Sequence, residues 1–319
     1  MIILTLSIIE ITMSVLYFHR ESAYPLAVFH YWHRAKKKIQ RRRLLNLRSR
    51  EIGIWQKDKK FGFSHIPNST GTHETESFKV VYNIGNDGER LIPTPKKVVG
   101  RLLFVGGSDT FGHGVNDSEN YPYILGTEYW KDWKIVNKAV TAWGTSHAYM
   151  AVCDAIESDT PPAVIIYGMS SVHVQRNYVR RSWVEKLVDN NRGHPHFEII
   201  NGSPIFQGVV GIADSKADGR EVRKEELELT NLLLRSMKQK CIENEIPFIV
   251  ILLPEKGGSW PPTVLKTLYQ SKIKHLDLSE ITLEAFPYDA HPNSDDHRQI
   301  AGAIAKSFVS KILELAKEN

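Results

Sequence analysis

Five short apolar runs recur along this chain and leave few folds open to it. They are RLLFVG (101–106), KIVN (134–137), AVIIYG (163–168), PFIVILL (247–253) and a weaker KHLDLS (274–279). Between them lie stretches with helical patterning, around 121–129, 146–157 and 224–245, and a closing helix is expected over 296–317. Strands that alternate with helices imply βαβ units, and the near-continuous apolar character of the runs implies a sheet covered on both faces. The expected class is therefore α/β, a three-layer α/β/α sandwich around a central parallel sheet. In such a sheet ligands bind beyond the carboxyl ends of the strands. Ser108 follows the first run, 137–144 the second and 168–173 the third, while 289–293 precedes the closing helix. The polar residues of interest thus gather at one edge.

Composition allows a large core: 319 residues, 42% hydrophobic and 24% charged, exclude a disordered or collagen-like chain. The two cysteines, Cys153 and Cys241, have no partner spacing, so neither a disulfide framework nor a zinc site is indicated, and no metal or cofactor is expected. The net charge of +5 comes from AKKKIQRRRLLNLRSR, which ends at Arg50. It follows an apolar N-terminal run, MIILTLSIIEITMSVLYF, broken by Glu10. As a helix that run would span about 26 Å, just short of a bilayer core, and it is expected to be a membrane anchor; a buried amphipathic helix is the alternative. The aromatic and basic stretch AYPLAVFHYWHRAKKK has the composition of an interfacial segment, and nothing downstream resembles a nucleic-acid motif, so no nucleic-acid partner is expected. Next, KVVYNIGNDGERLIPTP (79–95) reads as a strand followed by an Asn-Asp-Gly turn. The expected organisation is an anchor (1–20), a basic juxtamembrane segment (21–50), a β-rich extension (51–98) and the main domain (99–319).

The stretch RLLFVGGSDTFGHGV (101–115) admits three readings: a helix N-cap, a phosphate loop, or a nucleophile at a strand end. A P-loop fails because His113 and Gly114 follow Gly112 where Lys and a hydroxyl are needed, and a dinucleotide fingerprint fails at Asp117. Capping by Ser108 or Asp109 and nucleophilic use of Ser108 both remain. Far downstream, FPYDAHPNSDDHRQIAGAI places Asp289 two residues before His291. A carboxylate so placed can hold an imidazole while its other nitrogen faces a nucleophile.

Three blocks in this order resemble the SGNH or GDSL hydrolases. GGSDTFGHGV is similar to the family's G-D-S-x-T-x-G-x-G-V, IVNKAVTAWGTSH to its V-N-x-G-x-x-G-x-G-T-x-Q, and YDAHPN with DDHRQIA to its last block, over about residues 80–315. The resemblance implies a flavodoxin-like sandwich with Ser108 as nucleophile, His291 as base and Asp289 as its orienting carboxylate. It also implies oxyanion donors at the N–H groups of Ser108 and Ala142, with Asn137 as the second-block asparagine. Two positions depart from the pattern. Gly107 stands where the family has Asp, and Ser170 stands where it has Asn, with His173 and Asn177 close enough in sequence to substitute. The implied activity is ester hydrolysis or O-acyl transfer on an acylated carbohydrate, lipid or small ester, without cofactor or metal. The alternative is a non-catalytic binding module of the same fold. Members often carry an N-terminal anchor with the domain outside the cytoplasm, whereas the basic residues after the anchor favour the cytoplasm, so the side is open. Elsewhere, RGHPHFE with His194 and His196 reads as a solvated loop, QRNYVRRSW (175–183) as a surface helix or lid, and His147 as a helix-start residue.

Overall fold

Antiparallel strands come first. In the computed structural model, which describes residues 50–51, 53–178, 180–188, 193–211, 220–255, 260–287 and 289–317, β1 (Arg50–Glu51), β4 (Thr70–Glu74) and β5 (Lys79–Asn83) form one sheet in the order β1-β4-β5. A hairpin joins β2 (Trp55–Asp58) to β3 (Gly62–His65). After β5 the chain reverses through the expected turn, where Gly88 takes φ 76° and Gly85 N–H donates to Glu89 O at 2.8 Å. The expected anchor (1–20) and all of the basic segment except Arg50 lie outside the described residues. Among the described residues no helix is long and apolar enough to cross a membrane.

The five apolar runs form one parallel sheet: β6 (Gly100–Gly106), β7 (Trp133–Asn137), β8 (Val164–Met169), β11 (Phe248–Leu252) and β12 (Lys274–Asp277), in the order β12-β11-β8-β6-β7. Every residue of β8 and β11 is buried, as a strand covered on both faces requires. Alternation sorts their side chains. Leu103, Val105, Ile165, Tyr167, Val250 and Leu252 face a core shared with Val152, Leu234, Met237 and Leu268. These come from α3 (Thr145–Ile156), α6 (Arg220–Glu243) and α7 (Pro262–Gln270), the short α4 (Val172–Gln175) and α5 (Arg181–Val188) lying between α3 and α6 in sequence. Leu102, Phe104, Ile166, Ile249 and Ile251 face the other core, filled by Tyr121, Ile124, Ile300, Ile304 and Leu313. These belong to α2 (Tyr121–Ile124), α8 (Ser294–Ala305) and α9 (Phe308–Lys317). The result is the expected three-layer sandwich. A third, smaller core joins the extension to the main sheet: Ile54, Val80, Tyr82 and Ile84 pack with Phe111 and Ala139.

Two expectations are corrected. The closing helix is two helices, α8 and α9, parted at Ser307, whose Oγ accepts the Val309 N–H at 3.2 Å. The segment holding His194 and His196 is a hairpin rather than a solvated loop: β9 (His194–Ile200) pairs with β10 (Ser203–Val210). Its two-residue turn, Asn201-Gly202 with φ 50° and 73°, is a strong hairpin signal in the sequence. His194 is fully buried, with Nε2 2.5 Å from Arg176 O.

Candidate active site

Ser108 opens α1 (Ser108–Phe111), a helix of one turn directly after β6. The helix cap is Gly107, not Ser108 or Asp109, so the capping reading of Ser108 falls. As the first helical residue, Ser108 has a backbone N–H without an intrahelical acceptor. Its carbonyl accepts the N–H groups of Gly112 and His113 at 2.9 and 3.0 Å, and Gly112 ends the turn at φ 86°. The side chain is 4% exposed. The helix is held from three sides. Asn137 Nδ2 donates to Thr110 O at 2.9 Å, Tyr121 OH donates to Thr110 Oγ1 at 3.0 Å, and Arg90 binds the loop that follows. Arg90 is fully buried; it donates to Phe111 O, Gly112 O and Val115 O at 2.6–2.7 Å and to Asp117 Oδ1 at 2.9 Å, between the rings of Tyr82 and Phe111.

Asp289 and His291 form a pair. Asp289 Oδ1 accepts the His291 backbone N–H at 2.9 Å and lies 2.5 Å from His291 Nδ1. Their loop is fixed on both flanks. The Asp296 carboxylate on α8 accepts from the N–H groups of Glu284, Ala285 and Asn293 at 2.8–3.0 Å, and Ser77 Oγ donates to Pro287 O at 2.5 Å. Burial pushes the His291 imidazole down, but the Asp289 hydrogen bond and the charges of Asp109 and Asp289 outweigh it and leave the ring above the usual histidine value. Burial likewise opposes ionisation of Asp289, yet the hydrogen bond and charge of His291 hold its carboxyl well below the usual range. The ring of His113, whose N–H is bonded to Ser108 O, lies 4.3 Å from that of His291. At this ring the Ser108 loop meets the Asp289–His291 loop.

The remaining predicted residues divide. Ala142 sits in the turn after β7 at φ 74°, a left-handed conformation that suits glycine, and among the described residues its N–H makes no hydrogen bond. Asn137 has both amide atoms engaged within the fold, on Thr110 O and on the Ala139 N–H, which makes it a positioning residue rather than a substrate ligand. Asn177 is similarly engaged, by Thr230 Oγ1 and the Ser146 N–H. Ser170 is buried, and its hydroxyl donates to Asp109 Oδ2. His173 is buried and stacked on Tyr167, with Tyr167 OH 2.9 Å from Nδ1 and the Ser170 N–H donating to the same nitrogen at 3.4 Å. With Nδ1 accepting, the ring proton resides on Nε2. That nitrogen abuts Gly107: a Cβ on Gly107 would stand 2.4 Å from it. The missing aspartate of the first block thus has a steric reason, since His173 fills the space it would need.

Sequence reasoning missed several participants. Arg90, from the extension, carried no motif. His113 occupied a position any residue can take in the block. Asp109 faces Ser170, and Ser171 donates through its N–H and hydroxyl to Glu255, so two carboxylates and Arg176 border this edge of the sheet. His147, expected simply to start a helix, is buried and accepts the Gly144 N–H at 3.1 Å.

No family model and no curated protein matches this chain. Solved structures do resemble it. One is TesA, at 11% identity over 68% of this chain and 99% of that one, with a TM-score of 0.43. A second is the psychrotrophic esterase EstA of Pseudoalteromonas sp., at 11% identity over 67% and 98%, TM-score 0.43. A third is a variant of Axe2, an acetylxylan esterase of Geobacillus stearothermophilus, at 14% identity over 68% and 95%, TM-score 0.38. Likeness this distant carries no chemistry across; what the site can do follows from its own side chains.

Proposed function

We propose that this chain is a serine esterase or O-acyl transferase of the SGNH type, acting on an acylated carbohydrate, lipid or small ester. The observation that carries the reading is the Asp289–His291 pair: one carboxylate oxygen receives both the backbone N–H and Nδ1 of the same histidine. That arrangement fixes the tautomer and leaves Nε2 as the base. Ser108 attacks the ester carbonyl, His291 takes the hydroxyl proton and returns it to the departing alkoxide, and Asp289 stabilises the imidazolium. The oxyanion is met by the N–H groups of Ser108 and Ala142 and by His173 Nε2–H, which stands in for the family's asparagine. Water or an acceptor hydroxyl then resolves the acyl-enzyme. The apolar run 1–18 and the basic stretch after it hold the domain at a membrane in this reading.

The test is covalent. A fluorophosphonate probe should label Ser108, located by mass spectrometry of the digested adduct, and Ser108→Ala should abolish labelling. Asp289→Asn should slow it by about three to four orders of magnitude by leaving the wrong tautomer, and His173→Ala by about a hundredfold through loss of an oxyanion donor. A native protein that folds but takes up no probe refutes the enzyme reading. It would favour the binding module, to which one observation points: the Asp109 carboxylate, next to Ser108 in sequence, is bonded to Ser170 where a neutral donor would serve an oxyanion.

A further inference from the structure

We propose that His113, Asp289 and His291 form a binding site for a divalent transition-metal ion of the Zn2+ kind, and that occupancy takes the base away from Ser108. The second half of this rests on the triad reading above; the first half does not. One donor atom from each of the three residues lies within 4.8 Å of the other two, the one such group of histidine, cysteine and acidic side chains among the described residues. Two imidazoles and a carboxylate are a zinc ligand set that leaves a fourth, open position. At bond lengths of about 2.0–2.2 Å, tetrahedral donors stand about 3.3 Å apart. The groups therefore need to close by up to about 1.5 Å, which rotation of the Asp289 and His291 side chains toward the His113 ring supplies.

Among the described residues the ring nitrogens of His113 make no hydrogen bond. Its Nε2 is 3.9 Å from Asp289 Oδ2, too far for a hydrogen bond, and its buried Nδ1 has no partner. Of the Asp289 carboxylate, Oδ1 serves His291 while Oδ2 faces His113. The ring is nevertheless held in place. Gly112 and Gly114 flank it at φ 86° and 85°, and His73 packs edge-on against it at 4.9 Å, its own Nδ1 3.2 Å from Tyr82 OH. A ring so confined, with neither nitrogen hydrogen-bonded and Nε2 facing a carboxylate, resembles a ligand more than a packing residue. Metal capture at Asp289 and His291 Nδ1 displaces the proton held between them; that proton passes through solvent to Nε2, and a ring protonated at Nε2 can no longer accept the Ser108 proton. His113 stands far from Asp289 and His291 in sequence, so no spacing motif announces the site.

Two measurements on the full chain, free of any polyhistidine tag, separate the halves of the proposal. Calorimetric titration with ZnCl2 alone should show one equivalent bound; His113→Ala and the bulk-preserving His113→Gln should each weaken binding at least about tenfold, as should Asp289→Asn, whereas Ser108→Ala should leave it unchanged. Circular dichroism verifies that each variant is folded. In parallel, the fluorophosphonate labelling rate of the native chain should fall at least about tenfold on adding Zn2+, and the ratio of rates with and without Zn2+ should return to about one in both His113 variants. Zn2+ affinity unaltered in folded His113→Gln and His113→Ala, or no saturable binding by the native chain, overturns the site. Binding without inhibition overturns only the coupling to Ser108, and absence of labelling in every sample indicts the triad while the calorimetry still judges the metal.

Discussion

Asp109 adds a second negative charge to those acting on His291, and its effect has a definite sign. A base must be neutral to accept a proton, so a ring raised above the usual histidine value restricts labelling of Ser108 to higher pH. Asp109→Asn removes one of the groups that raise it. The acid limb of the labelling rate against pH should therefore move to lower pH, and a limb that stays in place would show that Asp109 does not act on the base. Ala142 makes a second case. An alanine at φ 74° costs about 1–2 kcal/mol, and the greater freedom of glycine in the unfolded chain returns about 0.4–1 of it. Ala142→Gly should raise stability by up to about 1.6 kcal/mol in urea denaturation. At Gly107 the backbone, φ −103°, accepts any residue, so Gly107→Ala should be harmful chiefly through His173, with Trp143 O next at 3.1 Å. A double-mutant cycle with His173→Ala should return a coupling of about 1–3 kcal/mol. At this scale the strand-end place of Ser108 and the Asp289–His291 hydrogen bonds were legible because a glycine-flanked serine after an apolar run and an Asp-x-His are written in contiguous letters. The surroundings of His173 were only half legible: its residue type was visible, but the tautomer depends on Tyr167, and its nearness to Gly107 depends on how β8 lies against β6.

The strands and helices that place these residues were easier to read than the contacts between them. All five strands of the main sheet stand within two residues of their apolar runs, since β-covered strands announce themselves by composition alone. The β9–β10 hairpin is masked in the sequence because the histidines and proline of RGHPHFE have a loop's composition, although Asn201-Gly202 marks the turn. Arg90 shows why contacts resist such reading. It looks like any charged residue after a turn, yet it is buried and binds three carbonyls and a carboxylate in the loop after Ser108. Arg90→Met would remove the guanidinium from those carbonyls and from Asp117, which among the described residues keeps only its bonds from Asn83, and breaking a buried pair from one side costs about 3–5 kcal/mol. The expected outcome is a urea midpoint lowered accordingly, with amide exchange accelerated most over 108–117 and Ser108 labelling lost.

Across the whole molecule, the extension belongs to the site. It contributes Arg90, the Ser77 bond to Pro287 O, the Phe78–Phe286 ring contact at 5.1 Å, and His73 against His113. Its apolar side chains share a core with Phe111 of α1. A chain beginning at residue 50 keeps β1 paired with β4 and should fold, remain in solution and label at Ser108. A chain beginning at residue 99 uncovers Phe111 and frees the loop Arg90 holds; it should show a weakened near-ultraviolet signal and no labelling. The order of parts along the polypeptide carries one more consequence. Ser108 follows the strand made first in the main sheet, while Asp289 and His291 follow the strand made last. As the ribosome extends the chain from its N-terminus, the serine emerges long before its base exists. Under the proposed mechanism an unfinished nascent polypeptide displays an inert hydroxyl, and reactivity would switch on only when synthesis has passed β12, so translation itself would keep a half-built copy from attacking esters.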